Sequence, residues 1–284
     1  MRTELIEVGG RRTELVVGGE GPPLLYLHSF LGEPVGPSEL LSGLAETRTV
    51  YAPLHPGFGR SLGLEAVRGI DDLTDHYLAF IDAHGWGRVD VVGCSLGGWI
   101  ALELAARHGD RIGRLVLAAS LGIRLAAVPM ADIFVVQLGQ ERRARELLFH
   151  DPDHPVAALA VPRFAELDDE RFRLLVKAAA ATARVGWNPY LHDPRLERLL
   201  PRVVSAPLVV WGSNDRVVPP AYGERLAQLL PGARLELIPD CGHAIWLERP
   251  RALLAAAREH LDRPELAPTL AAEHEGALAS AALR

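Results

Sequence analysis

The chain has 284 residues, 49% of them hydrophobic and 23% charged, enough to bury a sizeable core as one domain with an insertion or as two small domains. Its formal net charge is −6 and its arginines are scattered among carboxylates, which excludes the basic stripe that a nucleic-acid backbone requires. Two cysteines, Cys94 and Cys241, exclude a disulfide scaffold, and no apolar run approaches the roughly 20 residues of a membrane span. The opening MRTELIEVGGRRTE carries no basic region followed by an apolar one, so a soluble protein of a reducing cytoplasm is expected.

In chain order, Glu4 to Val8 and Glu14 to Val17 alternate around a Gly-Gly-Arg-Arg turn and predict an antiparallel hairpin at one edge of a sheet. Short apolar runs follow at Leu24 to Leu27 and Thr49 to Ala52. Helical spacing then occupies Ile70 to His84, a run Val89 to Val92, helical spacing again Leu96 to His108, and a run Leu115 to Leu117. From about Leu121 to Leu200 the alternation stops, and Ala, Leu and Arg recur at helical spacing without a convincing strand. It resumes with runs at Leu208 to Trp211 and Leu235 to Ile238 and helical patterns at Tyr222 to Leu230 and Arg251 to Leu261. Strands alternating with helices imply a parallel α/β sheet covered on both faces. The expected organisation is a core of residues 1–120 and 201–262, a helical cap of 121–200 and an Ala-rich tail of 263–284; no repeat of solenoid period occurs.

The chemistry gathers at strand ends. Gly93-Cys94-Ser95-Leu96-Gly97-Gly98 joins a strand to a helix as G-x-S-x-G, a strained turn that demands small flanking residues and pushes its serine out to a surface turn at a helix N-terminus. A serine hydroxyl needs a base to take its proton, and Asp240-Cys241-Gly242-His243 supplies His243 directly after the last strand. The base needs an orienting carboxylate, and Trp211-Gly212-Ser213-Asn214-Asp215 places Asp215 beyond the preceding strand. Asp240 is the competitor and reads as a turn former, while the position after Leu115 to Leu117 holds only Ala118, Ala119 and Ser120.

The order Ser, Asp, His in these contexts resembles the α/β-hydrolase superfamily, in particular its capped serine esterase and peroxidase-like branch, over nearly the whole chain to about Leu261. Leu27-His28-Ser29-Phe30-Leu31-Gly32 is similar to that family's oxyanion loop and Pro56-Gly57-Phe58-Gly59-Arg60-Ser61 to its glycine loop. The resemblance implies oxyanion donors at the backbone N–H groups of Phe30 and Leu96. The family loop usually reads His-Gly where this chain has His28-Ser29, and an acidic residue often stands where His55 does. His28 is expected to brace the loop by hydrogen bonding.

Other signals carry less. His150-Asp151-Pro152-Asp153-His154 has metal-ligand residue types but suits a polar loop, and no zinc, phosphate-loop or dinucleotide motif occurs. Lys177, the one lysine, lies in an Ala-rich helical stretch, and neither cysteine is expected to be catalytic. Phe134 and Trp187 are the cap aromatics expected to contact substrate. The resulting expectation is a cofactor-independent, metal-free hydrolysis of a small carboxylic ester through an acyl-enzyme. A serine nucleophile argues against the alkyl-enzyme chemistry of dehalogenases and epoxide hydrolases. The alternatives are carbon–carbon hydrolysis of a vinylogous diketone, whose enzymes usually carry Trp where Ala244 follows His243, and a non-catalytic receptor with a retained triad. Oligomeric state is not legible.

Overall fold

The computed structural model describes residues 1–32, 38–134 and 140–263. One sheet contains β1 (Arg2–Val8), β2 (Arg11–Gly18), β3 (Pro23–Leu27), β4 (Thr49–Pro53), β5 (Val89–Cys94), β6 (Ile112–Ala118), β7 (Leu208–Gly212) and β8 (Arg234–Ile238). Their spatial order is β1-β2-β4-β3-β5-β6-β7-β8. β1 pairs antiparallel with β2, and β2 with β4; every later pairing is parallel. The expected edge hairpin is therefore present, and the central runs are buried along their length, as strands covered on both faces must be. β6 starts at Ile112, earlier than its apolar run, because Gly113 and Arg114 break the pattern without breaking the strand.

The helices are α1 (Glu39–Leu44), α2 (Ile70–Ala83), α3 (Leu96–Arg107), α4 (Glu141–Leu148), α5 (Pro155–Ala160), α6 (Asp169–Gly186), α7 (Leu196–Leu199), α8 (Ala221–Leu229), α9 (Ile245–Glu248) and α10 (Pro250–Leu261). α3 packs on β3, β5 and β6 and against α2; α10 packs on β6, β7 and β8 and against α1. Strand order reverses direction between β3 and β5, and the carboxyl ends of the strands at such a switch point are the general place for ligands in these sheets.

Between β6 and β7 the described residues form α4 to α7 and no strand, apart from an isolated bridge between Gly122 and His192. α6 begins where Asp168 accepts from the Arg171 N–H at 2.8 Å, with Asp169 and Glu170 in its first turn. It lies along the loop after β4: Lys177 Nζ donates to the carbonyls of Gly59 and Ser61 at 2.9 and 3.0 Å. No helix among the described residues is long and apolar enough to cross a membrane. Residues 264–284 of the expected tail lie outside the described residues.

Candidate active site

Ser95 caps α3 with φ 52° and ψ −109°, a left-handed strain imposed by close approach on both sides. A Cβ on Gly97 would stand 2.0 Å from the Leu27 carbonyl oxygen and 2.6 Å from that of His28; one on Gly93 would stand 2.5 Å from the Gly97 carbonyl oxygen. Only glycine lets the first turn of α3 settle against the end of β3. The turn leaves the sheet as the motif demands, but the expected surface position is wrong: Ser95 is fully buried, because the loops carrying Phe30 and His243 close over it.

The structure brings the three chemical residues together from β5, β7 and β8. Ser95 Oγ and His243 Nε2 are 2.9 Å apart, and His243 Nδ1 and Asp215 Oδ2 are 2.8 Å apart. Asp215 Oδ1 accepts from the N–H groups of Val217 and Val218 at 2.9 and 2.8 Å, so the carboxylate is held by its own loop and points one oxygen at the imidazole. That geometry fixes the tautomer: Nδ1–H donates to Asp215, and Nε2 accepts from the serine hydroxyl. Asp240 is the exposed turn residue it resembled, with φ 47° and a carboxylate oxygen 3.9 Å from His150 Nε2.

The Phe30 ring lies beside that of His243, with centroids 5.9 Å apart. Gly32 N–H donates to Ser29 O and Leu31 N–H to Ser29 Oγ, so this turn is closed without the Phe30 N–H. Leu96 N–H belongs to the first turn of α3, where no intrahelical acceptor exists.

Beneath the Phe30 loop is a buried array that the sequence only half disclosed. His28 Nδ1–H donates to Ser29 O at 2.7 Å, and His28 Nε2 accepts from the His55 N–H at 2.9 Å. His55 Nε2–H donates to His28 O at 2.9 Å, which leaves its Nδ1 to accept from the Tyr77 hydroxyl. The two imidazoles stack at 3.6 Å. Burial lowers the His28 pKa to about 4, and burial with its neighbour His28 holds His55 well below the ordinary histidine value; burial raises Tyr77. His28 thus braces the loop. Nothing in the sequence marks Tyr77, because only the fold brings its hydroxyl to His55.

Trp187 is 59% exposed at the end of α6, and its ring lies 5.4 Å from that of half-buried Phe134, which in turn meets Tyr190 edge-on at 5.9 Å. Of the His150 to His154 stretch, His154 Nδ1 accepts from Val156 N–H at the start of α5, and Asp151 accepts from Asp153 N–H. The carboxylates of Asp71, Glu103 and Asp193 also cluster, but Arg107 pairs with all three and Arg195 with two, so the group is an ion-pair network.

The model of the alpha/beta hydrolase fold family matches residues 22–250. The chain belongs to that family. It is 33% identical over 250 residues to a 2-hydroxymuconate semialdehyde hydrolase of Pseudomonas putida, covering 86% of this chain and 88% of the relative. It is 29% identical over 254 residues to a pimeloyl-[acyl-carrier protein] methyl ester esterase of Nitrosomonas europaea, covering 84% and 94%. Among solved structures, a 2-hydroxy-6-oxo-6-phenylhexa-2,4-dienoate hydrolase from Rhodococcus sp. strain RHA1 superposes with a TM-score of 0.72 at 25% identity, covering 92% of this chain and all of that one.

Proposed function

We propose that this hydrolase cleaves an uncharged small-molecule carboxylic ester through an acyl-enzyme on Ser95. The observation that carries the reading is the continuous chain Ser95, His243, Asp215 with contacts of 2.9 and 2.8 Å in a buried site. His243 Nε2 takes the hydroxyl proton as Ser95 Oγ attacks the carbonyl, and Asp215 stabilises the imidazolium that forms. The carbonyl oxygen becomes an oxyanion facing the N–H groups of Phe30 and Leu96. His243 returns the proton to the departing alkoxide, and the same base then activates a water that releases the acid. Residues 121–200 serve as a cap that selects the acyl or alcohol group, with Phe134 and Trp187 among its contacts.

Carbon–carbon hydrolysis is the second reading, favoured by the names of the 2-hydroxymuconate semialdehyde and dienoate hydrolases. A dienoate carries a carboxylate, and burying one without a cation costs several kcal/mol, about 3–5 where a buried pair is broken. The one buried arginine or lysine among the described residues is Arg48, which pairs with Asp90 at the start of β5, the opposite end of the strand from Ser95. Residues 33–37 and 135–139 contain neither lysine nor arginine. This supports an uncharged substrate. The test is kcat/KM for a series of p-nitrophenyl esters beside a 2-hydroxy-6-oxo-dienoate: the esters should be preferred, and a reversed preference overturns the choice. A fluorophosphonate that failed to label Ser95 would favour a receptor instead.

A further inference from the structure

The loop that carries His243 is tied to the insertion by a side chain that the hydrolytic chemistry does not use. Glu248, at the end of α9, is 3% exposed. Its Oε2 accepts from the Gly242 N–H at 2.7 Å and from the His150 N–H at 3.0 Å, and its Oε1 accepts from the Asp151 N–H at 2.9 Å. Gly242 is the residue before His243; His150 and Asp151 follow the end of α4. No cation pairs with this carboxylate among the described residues; three backbone N–H groups donate to it, and the buried Cys241 thiol lies beside it.

The two segments also meet directly. Ala244 N–H donates to Leu148 O at 2.9 Å, and a Cβ on Gly242 would stand 2.6 Å from that same oxygen and 2.7 Å from the His150 nitrogen. On the acid side, Arg216, next to Asp215, donates to the carbonyls of Glu146 and Phe149 at 2.8 and 3.3 Å. Residues 146–151 are therefore gripped by the loop that carries His243 and by the loop that carries Asp215.

We infer that Glu248 is a positioning residue for His243, and that it works by holding the histidine loop and the α4 end of the insertion on one carboxylate. Seating of that part of the insertion and alignment of the base are then one event. A carboxylate has acceptor sites on both oxygens, and an amide on one. Glu248→Gln can keep the shared Gly242 and His150 contacts and must turn its NH2 towards the Asp151 N–H. Glu248→Ala removes both acceptor oxygens and with them all three contacts.

The role rests on the acyl-enzyme reading, and the test separates the two. Pre-steady-state bursts with a p-nitrophenyl ester give the number of competent sites from the amplitude and the acylation constant per site from the rate. Displacement of a reacting group by about 1 Å costs on the order of 100-fold. Glu248→Ala is expected to lose about that much in the per-site constant, with KM within a few-fold of the parent, and Glu248→Gln to recover part of the loss. Hydrogen–deuterium exchange supplies the arm that needs no activity: in Glu248→Ala the peptides covering 241–244 and 148–152 should both exchange faster. A folded Glu248→Ala whose amplitude falls while its per-site constant stays parental overturns the positioning role. Faster exchange at 148–152 alone does so too, since the carboxylate would then serve the insertion only. If the parent turns over no ester and a fluorophosphonate does not label Ser95, the acyl-enzyme reading has failed, and the exchange of the two peptides decides the joint alone.

Discussion

Two buried imidazole sites flank the first turn of α3, and they differ in one kind of neighbour. His28 and His55 exchange hydrogen bonds with backbone groups and with Tyr77, and no carboxylate is bonded to either ring. His243 is as deeply buried and has Asp215 at 2.8 Å. Burial penalises the charged ring and is the largest cause of the lowering at both His28 and His55, and such rings are fixed hydrogen-bonding parts. A buried ring with a carboxylate on one nitrogen and a hydroxyl on the other can take up a proton during a reaction and have the charge stabilised. The same residue type supplies a frame on one side of Ser95 and, on the proposed chemistry, a base on the other.

The largest effects should come from the His243 side. Ser95→Ala and His243→Ala are each expected to lower kcat by roughly 10⁴-fold or more, and Asp215→Asn by about 10⁴-fold through the wrong tautomer. Because the three act as a unit, Asp215→Asn combined with His243→Ala should cost little beyond the worse single change; losses that add in free energy would break the comparison. Asp240→Asn, on an exposed turn, should leave turnover near the parental value.

Acid should expose the frame. The folded pKa of His28 is near 4 against an ordinary 6.5, so between those values the unfolded chain binds a proton that the folded one refuses. Its contribution to stability is complete above pH 6.5 and falls as pH drops towards 4, by up to about 3 kcal/mol for this one group. Urea unfolding from pH 7 to pH 4, compared between the parent and His28→Gln, isolates it from the like-signed contributions of His55, His76 and His260, and a pH dependence equal in the two proteins would remove the distinction between the two sites. Tyr77→Phe sharpens the same point without acid. It leaves His55 Nδ1 buried without a donor, so a stability loss of about 1–3 kcal/mol is expected, with roughly tenfold lower turnover as the Phe30 loop loosens.

The smallest effects belong to the aromatic pair of the insertion. Trp187 is mostly solvent-facing, so Trp187→Ala should hardly move the melting temperature, while Trp187→Ala and Phe134→Ala should shift the ratio of kcat/KM for long and short esters. Two unchanged profiles in folded variants would assign these rings to packing.

Local chemistry was legible: the strand runs, the hairpin, and the Ser95, Asp215 and His243 contexts all rest on patterns within a few residues of each other. Residues whose meaning depends on distant contacts were not. Glu248 sits in Ile245-Trp246-Leu247-Glu248, where nothing marks its carboxylate as facing inward to a segment about a hundred positions earlier. Tyr77 reads as an ordinary apolar position of an amphipathic helix. The burial of Ser95 is not legible for a related reason: the turn motif describes the exit from the sheet and says nothing of what closes above it.

The one lysine of the chain has a practical consequence. Lys177 lies within α6 with its ammonium group bound to the loop after β4. A lysine-specific endoprotease therefore has a single internal cleavage site, and it can reach that peptide bond only when the helix lifts and frays. The rate at which intact chain disappears under such digestion is a label-free clock for opening of the insertion, readable on a gel and comparable with and without a bound inhibitor.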